Sequence, residues 1–118
     1  MATTYKKAGA KNISRIDIGW TSASDGSVSV DTNAVQGKIT RVSFTSAYSG
    51  GTQPTDQYDA TLTDEHDYDL LASGGANRSN AAATTVVPTT PIAVDGVLTL
   101  NITNAGNAKS GTVVVYLE

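Results

Sequence analysis

Residues 97–103, Val97-Leu98-Thr99-Leu100-Asn101-Ile102-Thr103, alternate apolar and polar side chains without a break. Residues 111–117, Gly111-Thr112-Val113-Val114-Val115-Tyr116-Leu117, place Val113, Val115 and Leu117 on one face. A period of two is that of a half-buried β-strand, because successive side chains of an extended chain point to opposite sides. Asn104-Ala105-Gly106-Asn107 between them is turn chemistry. The two runs are therefore expected to pair as a C-terminal hairpin.

The same grammar extends upstream. Ile16, Ile18 and Trp20 alternate with Arg15, Asp17 and Gly19, which puts Trp20 in phase with a core face. Ser24-Asp25-Gly26-Ser27 is a turn signal, and Val28 and Val30 alternate after it. A second turn is expected near Asp31-Thr32-Asn33, before the β-branched run 38–44 in which Thr40, Val42 and Phe44 share a face. Residues 48–54, from Tyr48 through Gly50-Gly51 to Pro54, read as a loop, and Tyr58, Ala60 and Leu62 as another strand. Asp64-Glu65-His66-Asp67 reads as a hairpin turn before a short buried segment with Leu70 and Leu71. Residues 73–85 hold no large apolar side chain and read as a long exposed loop. Val86 and Val87 open an extended piece broken by Pro88 and Pro91, and Asp95-Gly96 is a tight-turn dipeptide. No long window has a helical period. Seven or eight short strands with closely spaced turns predict an all-β, single-domain antiparallel β-sandwich or jelly roll.

Composition narrows the rest. The chain has 118 residues, 8 Lys+Arg against 11 Asp+Glu, and no cysteine. That excludes disulfides, thiolate metal sites and a thiol nucleophile. An acidic balance argues against general nucleic-acid binding, which leaves a basic footprint. No apolar run is long enough for a membrane-spanning helix, and no secretory signal is expected from Met1 onward. Half the basic residues, Lys6, Lys7, Lys11 and Arg15, lie in the first fifteen positions, with no acid among them. Residues 1–15 are expected to be a basic, weakly structured arm ahead of a sandwich over 16–118. Such an arm suits an acidic partner surface.

Little in the chain suggests chemistry. His66 is the one histidine and sits in a turn among Asp64, Glu65, Asp67 and Asp69, with no nucleophile elbow elsewhere. Six of the eleven acids lie between 56 and 69. Their spacing offers oxygens to Ca²⁺, but it lacks the glycine and distal glutamate of an EF-hand loop. A solvated acidic turn is the simpler reading. No catalytic residue, metal or cofactor is expected, and Gly50-Gly51 and Gly74-Gly75 match no phosphate-binding loop.

Two segments, taken together, resemble a known class. One is Asp56-Gln57-Tyr58-Asp59-Ala60-Thr61-Leu62-Thr63-Asp64 followed by Asp69-Leu70-Leu71. The other is Gly96 to Gly106 with its Asn-Ala-Gly turn, closed by Gly111 to Leu117. Between them lies the Asn-rich Ala76-Asn77-Arg78-Ser79-Asn80. This pattern is similar to that of small tailed-phage virion proteins over residues 16–117, most of all capsid decoration, or cement, proteins. Glu65-His66 stands where such sequences often carry glycine, and the N-terminal arm has no counterpart. The resemblance implies a non-catalytic protein on the virion exterior, made in the bacterial cytoplasm. It implies that the protein bridges neighbouring major capsid protein subunits, as a homo-oligomer, with a trimer favoured. The candidate contacts are then Lys6, Lys7, Lys11 and Arg15 in the arm, with Asn77 and Arg78 in the loop. A tail or connector component, or a carbohydrate- or receptor-binding sandwich, are the alternatives.

Overall fold

The computed structural model describes residues 3–8, 13–46 and 50–118. Lys11 and Tyr48 lie outside the described residues. Among the described residues seven strands form: β1 (Thr3–Ala8), β2 (Ile13–Thr21), β3 (Val28–Ser46), β4 (Asp59–Thr63), β5 (Thr84–Val86), β6 (Ile92–Thr103) and β7 (Ser110–Leu117). A 3₁₀ turn at Gly50–Thr52 is the one helical element among the described residues. All the strand pairings are antiparallel, in the order β1-β2-β7-β3-β6-β4, with β5 added to β3. The chain is an all-β sandwich.

The sandwich is made by one strand that serves both layers. Residues 28–39 of β3 pair with β6, and residues 39–46 pair with β7. The strand passes from one layer to the other at an irregularity between Ile39 and Arg41, the local kink and added twist a bulge provides. One layer is β1-β2-β7 with the second half of β3 and β5. The other is the first half of β3 with β6 and β4. The first layer turns Ile16, Ile18, Trp20, Val113, Val115, Leu117, Val42 and Phe44 inward, all at most 3% exposed. The second answers with Val30, Val35, Leu98, Leu100, Ile102, Ala60 and Leu62. Tyr58, Leu70, Leu71 and Ala105 complete the core.

Four expectations change. The runs 97–103 and 111–117 are strands but not a hairpin, because β3 lies between β6 and β7 and each belongs mainly to a different layer. The turn expected at Asp31-Thr32-Asn33 is a bulge inside β3, where Thr32 Oγ1 accepts a hydrogen bond from the Leu98 N–H at 3.1 Å. The Ile39/Arg41 irregularity turns Ile39 inward, leaving Thr40 half-buried and out of phase with Val42 and Phe44. Asp95-Gly96 is no turn: Gly96 continues β6 at φ 126°, and a Cβ there would lie 2.6 Å from Glu65 Oε1. The positive φ is what requires glycine there, since the Glu65 carboxylate is the end of a flexible side chain.

Of the first fifteen residues, the described ones lie in strands. Thr3–Ala8 pairs with β2, from Thr3 opposite Ile18 to Ala8 opposite Ile13, and Ile13 to Arg15 already belong to β2. A single polar β-branched and basic hexapeptide has no core of its own. It becomes ordered by adding to an existing edge.

Trp20 is 3% exposed and packs against Tyr58 with ring centroids 5.5 Å apart. Gly111 makes room for it, since a Cβ there would stand 2.7 Å from Trp20 Cζ2 and 2.8 Å from the Thr45 carbonyl oxygen. Trp20→Ala should therefore cost about 3–5 kcal/mol in urea unfolding, and Gly111→Ala about 1–3 kcal/mol by overpacking. A Trp20→Ala protein as stable as the wild type would remove Trp20 from the core.

Candidate functional site

The acidic cluster is largely occupied by the backbone. Asp69 Oδ1 accepts from the N–H groups of Leu62 and Leu71, and its Oδ2 from Ser73. Asp64 Oδ1 accepts from the N–H groups of His66 and Tyr68, at 2.8 and 3.1 Å. Asp59 takes the Asn77 N–H and the Asn104 side-chain amide, and Asp56 takes the Asn80 N–H. Glu65 accepts from Val97 N–H at 3.4 Å. These contacts satisfy loop donors that have no strand partner, the usual role of Asp in turns. Among the described residues no group of three or more His, Asp or Glu is arranged to hold a metal ion. His66 is exposed.

The loop candidates are tied into the fold as well. Asn77 sits at φ 56° with its N–H on Asp59. Arg78 bridges to Tyr58 through the backbone, and its guanidinium donates to Thr84 Oγ1 at 3.2 Å and lies 5.2 Å from the Phe44 ring centroid. Phe44 faces the core, so Arg78 reaches beneath the β5 side of the sandwich. It does not share a surface with Arg15, which stands on the outer side of β2 between inward-facing Ser14 and Ile16.

That outer side carries a different constellation. Arg15 is opposite Tyr116, and Tyr116 is opposite Arg41, across three adjacent strands. Lys6 is opposite Arg15 in the β1–β2 register. Lys7 is opposite Ser14, one position away. The Arg41 guanidinium lies 4.1 Å from the Tyr116 ring centroid, the range of a cation–π contact. Stacking fixes its plane and leaves the in-plane N–H fork available, and among the described residues Arg41 donates no hydrogen bond. Arg15 is paired with Asp17 at 3.2 Å and is 38% exposed. Arg15 and Arg41 thus flank Tyr116 on one outward face, with the Arg15 guanidinium held by Asp17 and the Arg41 fork left to meet a carboxylate. Sequence reading reached Lys6 and Arg15 but missed Arg41 and Tyr116. Each looks like an ordinary outward residue of its strand, and only the pairing register brings them together.

Two grooves open on the β2 side of the sandwich. One, of about 690 Å³, is lined by Gly19, Trp20, Ser29, Thr45, Ser110 and Thr112 among others. The second, of about 590 Å³, is lined by Ile16, Asp95 and residues 32–36 of β3. The Trp20 indole nitrogen is buried without a hydrogen-bond partner among the described residues.

No protein-family model matches the chain, and no curated protein does. Solved structures are similar in fold. A low-affinity xylan-binding module, CBM86, from the gut symbiont Roseburia intestinalis is 17% identical, with a TM-score of 0.50 over 98% of this chain and 83% of the module. The crystal structure of FlhE is 14% identical, with a TM-score of 0.46 over 90% of this chain and 97% of that one. The likeness to the module concerns the β-sandwich fold.

Two outcomes follow from the carboxylates. Removing three acceptor contacts with Asp69→Ala should destabilise the protein by about 1–3 kcal/mol in chemical denaturation. The His66 and then the Tyr68 N–H groups hold the Asp64 carboxyl below its ordinary value of 3.8. A depressed folded-state value means that this carboxylate's stabilisation is present above pH 3.8 and is lost as pH falls through the folded value. An NMR titration should therefore place Asp64 below 3.8, and Asp64→Asn should flatten the acid limb of the stability curve. A midpoint at or above 3.8 would contradict the capping geometry.

Proposed function

We propose that this chain is a non-catalytic structural protein of a phage virion, one that decorates the capsid and ties neighbouring major capsid protein subunits together. The observation that carries this reading is the in-register row of Arg15, Tyr116 and Arg41 on an outward sheet face. A binding protein without chemistry needs a rigid face with fixed donors, and a β-sandwich supplies one. Cationic forks stacked on tyrosine suit an acidic protein surface, and desolvated Arg and Tyr dominate interface energetics. The motifs that resemble small virion proteins support the class. In the structure, Tyr58, Leu62, Asp64, Asp69 and Ala105 of those motifs build the core and cap the turns. They speak for a shared architecture, and the basic strip speaks for attachment.

A second reading, a glycan-binding module, is favoured by the hydroxyl-rich groove around Trp20. Its volume falls within the usual range for small-ligand sites. Sugar platforms rely on an exposed aromatic face, however, and Trp20 is 3% exposed. Tyr68, at 60%, is a strongly exposed aromatic, and it stands in the turn after β4, away from that groove.

The test is to count copies of the chain in gradient-purified virions and to rebind purified protein to particles that lack it. The expected ratio is near one chain per major capsid subunit. Arg15→Glu combined with Arg41→Glu should weaken rebinding by about a hundredfold or more while leaving the circular dichroism unchanged. Absence from particles, together with retention on xylan in affinity electrophoresis, would replace the capsid reading with the glycan one.

A further inference from the structure

Among the described residues, the sandwich has two strand edges without a strand partner. One is β1, which pairs with β2 and no other described strand. The other is the first half of β3, which has β6 on one side and meets β7 only from Ile39 onward. Residues of β2, the strand beside β1, and residues 28–36 of β3 line the two grooves together, so the open half of β3 lies beside the β2 side of the sandwich.

The backbone directions along β3 follow from the ladder. Ala60 and Leu62 exchange hydrogen bonds with the loop at Gly75 and Leu70, so Asp59, Thr61 and Thr63 point toward β6. Their partners Thr103, Asn101 and Thr99 therefore point toward β4, and Leu98, Leu100 and Ile102 toward β3. Val28 and Val30, opposite Ile102 and Leu100, then use their backbone groups on β6. Ser29 and Asp31 point the other way. Beyond the bulge the same logic sends Ala34 and Gln36 outward, since Val35 and Gly37 face Gly96 and Val94. Lys38 confirms the phase: its N–H and C=O point outward and are both taken by Glu118, at 3.1 and 2.9 Å. Ser29, Asp31, Ala34 and Gln36 are all exposed, and no described strand is paired on the side their backbone N–H and C=O groups face.

An open edge of this kind is a template for another strand. Charge identifies the occupant. The β3 edge carries Asp31, has Asp25 before it and Asp95 paired to Gln36 beside it, and has no base before Lys38. The other free edge, β1, carries Lys6 and Lys7 and no acid. We propose that β1 of one copy adds antiparallel to the 28–36 edge of β3 in a second copy, so that the chain associates head to tail through a continuous intermolecular sheet. An edge that pairs with a different edge is a heterologous contact, whose repetition gives a ring where the rotation closes and an open chain of copies where it does not. The bulge at 31–34 splits the β3 edge into two short runs. That limits indiscriminate pairing and leaves the incoming strand few registers. This interface uses backbone groups and is independent of the capsid reading, since it concerns the purified protein alone.

The experiment is sedimentation equilibrium of the full chain over a range of concentrations, paired with amide hydrogen exchange. Wild type should associate reversibly, more weakly at high salt, with concentration-dependent protection at the amides of Ser29, Asp31, Ala34 and Gln36. Ser29→Pro removes an outward donor while sparing the ladder to β6, a placement that edge strands tolerate. It should raise the dissociation constant by about tenfold or more. Asp31→Lys, which leaves the backbone intact, should also weaken association and serves if the proline variant does not fold. A wild type that stays monomeric throughout would overturn the proposal. So would an oligomer in which these four amides exchange freely and both variants associate normally.

Discussion

The structure depends on the length and bending of β3. Nineteen residues at about 3.3 Å each are longer than a sandwich layer needs, so the strand can serve both layers only by changing direction within its span. It does so at the irregularity between Ile39 and Arg41. Everything else is arranged around that bend. β6 must pair with the first half and β7 with the second, and the link 104–109 must carry the chain between them. Ala105 is fully buried within that link, which is held by backbone bonds to Gly26 and Thr55. Ser22 secures its far end, with Lys109 N–H on the Ser22 hydroxyl.

A small polar chain has few apolar side chains to spare, and this one supplements its core with local acceptors. The acids between 56 and 69 hold the turn after β4 and the loop that covers β4's outer edge. Ala60 and Leu62 use that loop in place of a further strand. The layer is thereby closed on its β4 side by hydrogen bonds and on its β3 side by nothing within the described chain. This asymmetry gives the molecule one sealed side and one open side.

Charge is separated in the same way. The acids that cap turns have no cationic partner among the described residues, where the one ion pair is Arg15–Asp17. Arg41 and Tyr116 lie on the outer face of the opposite layer. Separation of this sort does little for the stability of one copy, because exposed charges are screened by solvent. Its physical consequence is orientation: the Arg41 guanidinium faces outward on one layer and the turn carboxylates lie beside the other.

Much of the fold was legible in the residues. Strict alternation at Ile16-Ile18-Trp20, Tyr58-Ala60-Leu62, Leu98-Leu100-Ile102 and Val113-Val115-Leu117 set the strands and their inward faces. These patterns depend only on the geometry of an extended chain beside water. The turns at Asp25-Gly26, Asp64-Asp67 and Asn104-Asn107 were equally local. What alternation does not encode is which strand lies beside which. Two adjacent strands with a turn between them look like a hairpin unless a third strand can reach between them, and only packing of the two layers decides that β3 does. The same limit applied at Asp95-Gly96, where contact with Glu65 replaced a turn, and at the site. Sequence determined that Arg15, Arg41 and Tyr116 face outward. Their assembly into one strip comes from interstrand register, a property of backbone pairing between segments far apart in the chain.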